Sequence, residues 1–488
     1  MAADVYDIWF LVSQYLTLEE LARMYGVNRS LFYLSMAARY RLIVFHKSDK
    51  RTKWLCSNLK NPLVRTIVRR VEVRPWYFEA EVTPQSLGLL DSARRAFMQL
   101  ARKNLVKEAT AEYKVEKAID RIMEAVKQLP NLEEYKIVWD PRPDRCHPSF
   151  FKALRIAGFR DWTHSLRSLS ISVPPNLMGH LASVSFIHLE NLEISFYTGS
   201  MPRCNIRYEI LNPLLVFVNN LCSSLQSLSI LTTPTSEDLD LAIFFESLGT
   251  FPHLRHFSLF MPYDGSSFST LIPLLCFLHR HKALRSVQLG TRNCVPRVIP
   301  TCPGLREWIP RILQALDSSF HHIQRADVAL RPLKSQAALD AFIRFLSAHG
   351  HNVTSLTITE DNMLSFTEVR QMFNHFSNAP HQSPLEQLDL KVQELTPNLL
   401  RFLQDAFPRL RELRIGFSYP SAYSHFAAFC DELQDMDHQD FTLWGLRRIN
   451  LIPQGSVRVS GIGMAYAAET MENALKMQIP SLAAVAFA

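Results

Sequence analysis

Residues 225–230 read Leu225-Gln226-Ser227-Leu228-Ser229-Ile230. Apolar side chains stand at the first, fourth and sixth places, and the polar residue between the last two gives the period-two alternation of a half-buried strand. The pattern occurs eleven times between Leu132 and Leu451. Upstream copies are Leu132-Tyr135-Ile137, Leu166-Leu169-Ile171 and Leu189-Leu192-Ile194. Downstream come Leu254-Phe257-Leu259, Leu284-Val287-Leu289, Ile323-Ala326-Val328 and Val353-Leu356-Ile358. Leu385-Leu388-Leu390, Leu410-Leu413-Ile415 and Leu446-Ile449-Leu451 complete the series. Successive copies begin 23 to 39 residues apart. Self-similarity at this scale marks a stack of supersecondary units. The intervals hold apolar helical stretches, such as 211–221 before Leu225, 271–278 before Leu284 and 338–346 before Val353. One strand–helix unit cannot bury its own apolar face, so neighbours must stack. The expected fold is α/β: a curved solenoid with parallel strands on its concave face and helices on its convex face.

Bulk properties agree. At 488 residues the chain exceeds what one compact core holds. Its net charge of +7 is concentrated at the start, where residues 1–117 carry 20 Lys and Arg against 12 Asp and Glu. That is the composition of a solvated basic face, with attraction for acidic partners as the functional reading. The eight cysteines, at 56, 146, 204, 222, 276, 294, 302 and 430, show no CxxC and no regular framework, which predicts free thiols in a reducing compartment. Asp4 and Asp7 stand where a signal peptide carries basic residues. No stretch reaches the ~18 apolar residues of a membrane span. The expected setting is the cytoplasm or nucleus, with no membrane partner, and the sequons at Asn28 and Asn352 then carry no glycan.

The first 45 residues read as a separate helical module. Ile8, Leu11, Val12, Tyr15 and Leu16 share one helical stripe, with Trp9 one step off it. Thr17 with Glu20 has the form of a capping box for a second helix carrying Leu21 and Met24, and Asn28 or Ser30 starts a third. Leu42–Phe45 reads as a short strand and 68–73 as a degenerate repeat within a basic connecting region, 46–118. Val115, Ala118, Ile119, Ile122, Val126 and Leu129 form the stripe of a helix that Pro130 stops. The solenoid proper is expected over 119–453. Residues 454–488 read as a C-terminal cap or tail and not as a further unit.

The repeat resembles the leucine-rich repeat in its irregular, long-helix form. The Asn that usually follows the strand is replaced here by Asp140, Pro174, Tyr197, Thr233, Pro262, Arg292, Arg331, Asp361, Gln393, Ser418 and Gln454. The stretch Val5-Tyr6-Asp7-Ile8-Trp9-Phe10-Leu11-Val12-Ser13-Gln14-Tyr15-Leu16, followed by Leu18, Leu21 and Val27-Asn28-Arg29, resembles an F-box. Val5-Tyr6 stands where that family has Leu-Pro. With the Leu31–Tyr40 segment, the chain resembles F-box proteins with irregular leucine-rich repeats of the type found in mushroom-forming fungi. The resemblance implies a substrate-recognition subunit of a Skp–cullin–F-box ubiquitin ligase. Its adaptor surface would comprise Val5, Tyr6, Ile8, Trp9, Leu16, Leu18, Leu21 and Val27. Its partners would be a Skp-type adaptor, cullin through that adaptor, and a target protein. Trp9 is the residue of this set least explained by an internal core.

No GxSxG, GxxxxGK[ST], HExxH or GxGxxG motif occurs, so no enzymatic activity and no cofactor are expected. His279-Arg280-His281 and His321-His322 read as structural or solvated, because adjacent ring vectors diverge. Cys294 and Cys302 lack a second ligand pair for zinc. The strand positions between the apolar ones line the concave face. They are hydroxyl-rich at Ser168, Ser170, Ser172, Ser227, Ser229, Ser355, Thr357 and Thr359. Later copies are charged or amide-bearing: Gln387, Asp389, Lys391, Glu412, Arg414, Arg448 and Asn450. These seven are the expected target-binding residues. The alternative function is a scaffold or inhibitor with no ligase link, its N-terminal helices burying their apolar surface as a solenoid cap. Nucleic-acid binding is the weaker third reading, since aromatics interleaved with basic residues are confined to Arg74-Pro75-Trp76-Tyr77-Phe78.

Overall fold

The structure is a computed structural model, and it describes residues 2–46, 49–74, 113, 117–138, 162–173, 181–182, 184–196, 208–232, 240–262, 267–292, 308–316, 320, 322–329, 336–359, 363–377, 383–418, 422–436, 441, 444–454 and 461–487. The chain forms two compact units, Met1–Ser227 and Leu228–Ala488.

The first unit opens with three helices, α1 (Ala2–Ser13), α2 (Leu18–Arg23) and α3 (Arg29–Tyr40). The capping box forms as the sequence predicts: the Thr17 hydroxyl accepts from the Glu20 N–H while the Glu20 carboxylate accepts from the Thr17 N–H. Asn28, not Ser30, caps α3 by accepting from the Leu31 N–H. Then follow β1 (Leu42–Phe45), α4 (Lys50–Asn58), α5 (Pro62–Ile67), β2 (Arg70–Val73), β3 (Glu134–Ile137), β4 (Ser168–Val173) and β5 (Asn191–Phe196). All five strands are parallel and hydrogen-bonded in chain order. Their register makes one apolar row of Ile43, Val71, Tyr135, Leu169 and Leu192, and a second of Phe45, Val73, Ile137, Ile171 and Ile194.

The repeat array therefore starts at Leu42, inside the stretch assigned by sequence to the helical module; the short strand read at 42–45 and the degenerate repeat read at 68–73 both form, as β1 and β2. Tyr40 joins the module to it, stacking on Trp54 with ring centroids 6.1 Å apart and accepting a hydrogen bond from the Asn58 amide. The predicted stripe is confirmed where it is described: Ile119, Ile122, Val126 and Leu129 are buried. Residues 75–112, Val115, the Pro75–Phe78 aromatics and the turn positions Asp140, Pro174, Tyr197, Thr233, Arg331 and Asp361 lie outside the described residues.

The second unit carries β6 (Ser227–Thr232), β7 (His256–Pro262), β8 (Ser286–Arg292), β9 (Arg325–Ala329), β10 (Ser355–Thr359), β11 (Gln387–Val392), β12 (Glu412–Ser418), β13 (Arg448–Gln454) and β14 (Ala484–Phe487). They too are hydrogen-bonded in chain order, and the pairs from β7 to β14 are parallel throughout. Helices such as Gln336–His349 and Pro397–Ala406 connect them. The latter shows why a helix forms there. Thr396 caps it, Pro397 occupies the first turn, and Leu399, Leu400, Leu403 and Ala406 turn one face inward. In place of an asparagine ladder, the turn after β11 is closed by backbone. Leu364 donates to the Lys391 carbonyl and accepts from the Gln393 N–H, at 2.9 and 2.8 Å.

The C-terminal reading needs correction. Residues 461–478 form a helix, and β14 pairs in parallel with β13, placing Val485 beside Ile449 and Phe487 beside Leu451. This is a further repeat, Leu482-Val485-Phe487. Val485 and Phe487 are only half-buried, because β14 is the last strand of its sheet. No helix among the described residues is long and apolar enough to cross a membrane.

Candidate interaction surfaces

The N-terminal module has a small core. Leu21, Leu31 and Leu34 are buried together, and Trp9, Leu16 and Met24 pack against them half-buried. Trp9 is thus explained by the internal core, contrary to the sequence reading. With α1 apolar on several sides, the turn that seats Trp9 inward leaves the Ile8 stripe outside. Ile8 is 60% exposed, Tyr15 89%, Leu18 70% and Val27 62%, with Leu11 also open. Of the predicted adaptor residues, Tyr6, Ile8, Leu18 and Val27 lie at the surface, whereas Trp9, Leu16 and Leu21 support it from within. The Val5 side chain lies outside the description. Phe10, Leu11, Tyr15 and Tyr25 are exposed additions that the sequence-derived set lacks. Leu11 and Tyr15 were legible in the stripe itself, whereas Phe10 and Tyr25 lie off it. Exposed large apolar side chains in this number are unusual on a free soluble surface.

The second surface is the polar face of β9–β13. Register places Gln387 beside Glu412 and Asp389 beside Arg414, then Glu412 beside Arg448 and Arg414 beside Asn450. The side chains pair across the strands: Arg414 Nη1 lies 3.6 Å from Asp389 Oδ2, Arg448 Nη1 3.5 Å from Glu412 Oε1, and Gln387 Nε2 donates to Glu412 Oε2 at 3.3 Å. Six of the seven predicted target residues line one open cavity of about 320 Å³. Lys391 is the exception. It sits beside Gly416, where an added Cβ would come within 2.9 Å of its Cγ, so the glycine makes room for the lysine stem. The sequence-derived set lacks Arg325, Ala484 and Ala486, which also line the cavity. Their membership follows from register, which sequence spacing alone does not give. Burial raises the Asp389 carboxyl against the pull of Arg414 and Lys391. Burial likewise pushes Asp327 up to about 6, opposed by the hydrogen bond from Gln288 and by Arg325. The patch is self-neutralised and polar, and exposed pairs of this kind contribute at most about 1 kcal/mol each.

A larger cavity of about 550 Å³ in the first unit is lined by Lys53, Cys56, Lys60, Arg121 and Glu124 among others. Burial pushes its Cys56 thiol up to about 11, which favours the neutral thiol. Among the described residues no group of His, Cys, Asp or Glu is placed to hold a metal. His281 is a structural residue: its Nε2 accepts the Phe251 N–H at 2.9 Å, which leaves Nδ1 to donate to the Phe277 carbonyl at 2.6 Å. Buried His349 reaches the Leu316 carbonyl, and the Trp444 indole donates to the Phe407 carbonyl. Each ties one repeat to the one before it.

No protein-family model and no curated protein matches the sequence. Among solved structures, one chain of the yeast Rad7–Elc1 complex is similar at 12% identity with a TM-score of 0.33, over 70% of this chain and 97% of that one.

Proposed function

We propose that this chain is a substrate-recognition subunit of a Skp–cullin–F-box type ubiquitin ligase. On this reading α1, α2 and the Tyr25–Val27 turn hold a Skp-type adaptor, and the polar sheet face holds a target protein. The observation that carries the reading is the open apolar surface of Ile8, Leu11, Tyr15, Leu18 and Val27 on a module whose own core is three leucines. A cap serving only the repeats would bury those side chains internally. The chain performs no chemistry itself; it raises the effective concentration of target lysines near a ubiquitin-loaded enzyme.

Co-purification with a Skp adaptor tests it. The intact chain should retain stoichiometric adaptor, and Ile8→Asp or Val27→Asp should lose it while keeping the far-UV spectrum of the intact chain. Absence of adaptor from the intact chain would leave an interaction scaffold with no ligase link.

A further inference from the structure

Charge in the repeats is generally balanced between laterally adjacent strand starts. Arg69 faces Glu133, Arg167 faces Glu190 and Arg411 faces Glu386, with N–O distances of 3.3, 3.5 and 3.6 Å. Arg447 lies beside Arg411, which is itself paired with Glu386. The start of β7–β9 breaks the rule. Arg255 is the lateral neighbour of Arg285, whose N–H donates to the Arg255 carbonyl at 2.7 Å. One place along, His256 is beside Ser286, and Ser286 is beside Arg325. All three arginines and His256 are exposed, and none of the arginines has a carboxylate within ion-pairing distance among the described residues. Asp327 sits two residues beyond Arg325 on β9, where it accepts a hydrogen bond from Gln288 and feels the pull of Arg325. The histidine reports the same field: desolvation, then Arg255, Arg325 and Arg285, hold it below the ordinary imidazole range.

Like charges directly opposed across a sheet destabilise it. Substituting one glutamate here would restore the pairing used elsewhere, so the cluster is a cationic stripe without ion pairs among the described residues, about 10 Å long over three adjacent strands. We propose that Arg255, Arg285 and Arg325 form a docking site for an extended acidic segment of a partner protein, rich in Asp and Glu. Arg325 edges the cavity of the polar face while Arg255 and Arg285 lie outside its lining, so the charges are strung across the strands and not gathered in one pocket. That geometry suits carboxylates distributed along a peptide, each taken by the planar fork of one guanidinium. The site is separate from the adaptor surface and does not depend on it.

The test uses the full chain and a fluorescein-labelled polyglutamate peptide, followed by anisotropy at low and moderate salt. Binding that weakens steeply with salt is expected, with each of Arg255→Ala, Arg285→Ala and Arg325→Ala costing about fivefold. Arg167→Ala, which removes a cation already paired to Glu190, should leave affinity unchanged. Arg285→Glu should abolish binding while raising the thermal midpoint, a combination that a folding defect cannot produce. Equal binding by intact chain and Arg285→Glu would overturn the proposal. So would a clear preference for a monophosphorylated peptide or a single-stranded oligonucleotide over polyglutamate.

Discussion

In β3–β13 all three apolar positions of every strand are buried, whereas in the first 27 residues Ile8, Leu11, Tyr15, Leu18 and Val27 stand open around a core of Leu21, Leu31 and Leu34. Both regions are rich in large apolar side chains, so composition does not separate them. The difference lies in what each can stack on. A strand–helix unit finds its complement in the next copy of itself and saturates its interior. Three short helices have no second copy, and three leucines with their half-buried neighbours cannot cover the rest. On the proposed function, the apolar surface left over in this way is the one that meets another chain.

The contrast should appear first as energy. Leu259→Ala, in the fully buried row of β7, should destabilise the second unit by about 2–5 kcal/mol, read from urea unfolding. A loss under about 1 kcal/mol would mean that the repeat interior is loosely filled. His281→Ala, which strands the Phe251 N–H, should cost about 1–3 kcal/mol.

Titration gives two further effects of opposite sign. Burial, reinforced by Arg280, lowers the His281 imidazole. The unfolded chain therefore binds more protons below about pH 6.5, and the second unit should lose stability as pH falls through that point. His281→Gln, which can still accept the Phe251 N–H but does not titrate, should reduce that dependence. Asp327 behaves oppositely, because its folded carboxyl titrates near 6, above its unfolded value. Its penalty is full above about pH 6 and relieved toward pH 4, so Asp327→Asn should stabilise by on the order of 1 kcal/mol at pH 7.5 and by nothing at pH 4. The smallest effect belongs to the open module: Ile8→Ser should change stability by less than about 0.5 kcal/mol. A large loss there would show that Ile8 is part of a core.

Most of the architecture was legible because the strand pattern is local. Leu225, Leu228 and Ile230 announce a strand without reference to anything distant, and so do the ten other copies. What escaped was set by non-local facts. β1 was legible as a strand, but its place as the first repeat was not, because Tyr40, which holds the first apolar position of that copy, also ends α3. β14 hid because Val485 and Phe487 sit among alanines on a last strand that is never fully covered. On the polar face, Asp389 and Arg414 were recognisable as face residues, but Arg325 joined their cavity only through register. In α1 the apolar residues Ile8 to Val12 are consecutive, so periodicity named a stripe but not which side faces in. The seating of Trp9 against Leu21, Leu31 and Leu34, with Leu16 and Met24 beside it, is set by tertiary packing that periodicity does not encode.

The most direct test of the open-surface account is hydrogen exchange of the full chain, free and with a Skp adaptor, read amide by amide. The account predicts that amides from Tyr6 to Val27 exchange far faster than those of β3–β13 in the free chain, and that adaptor slows exchange across α1 and α2 while leaving β7–β13 unchanged. Protection of α1 equal to that of the strands without any partner, or no slowing when adaptor is added, would contradict it.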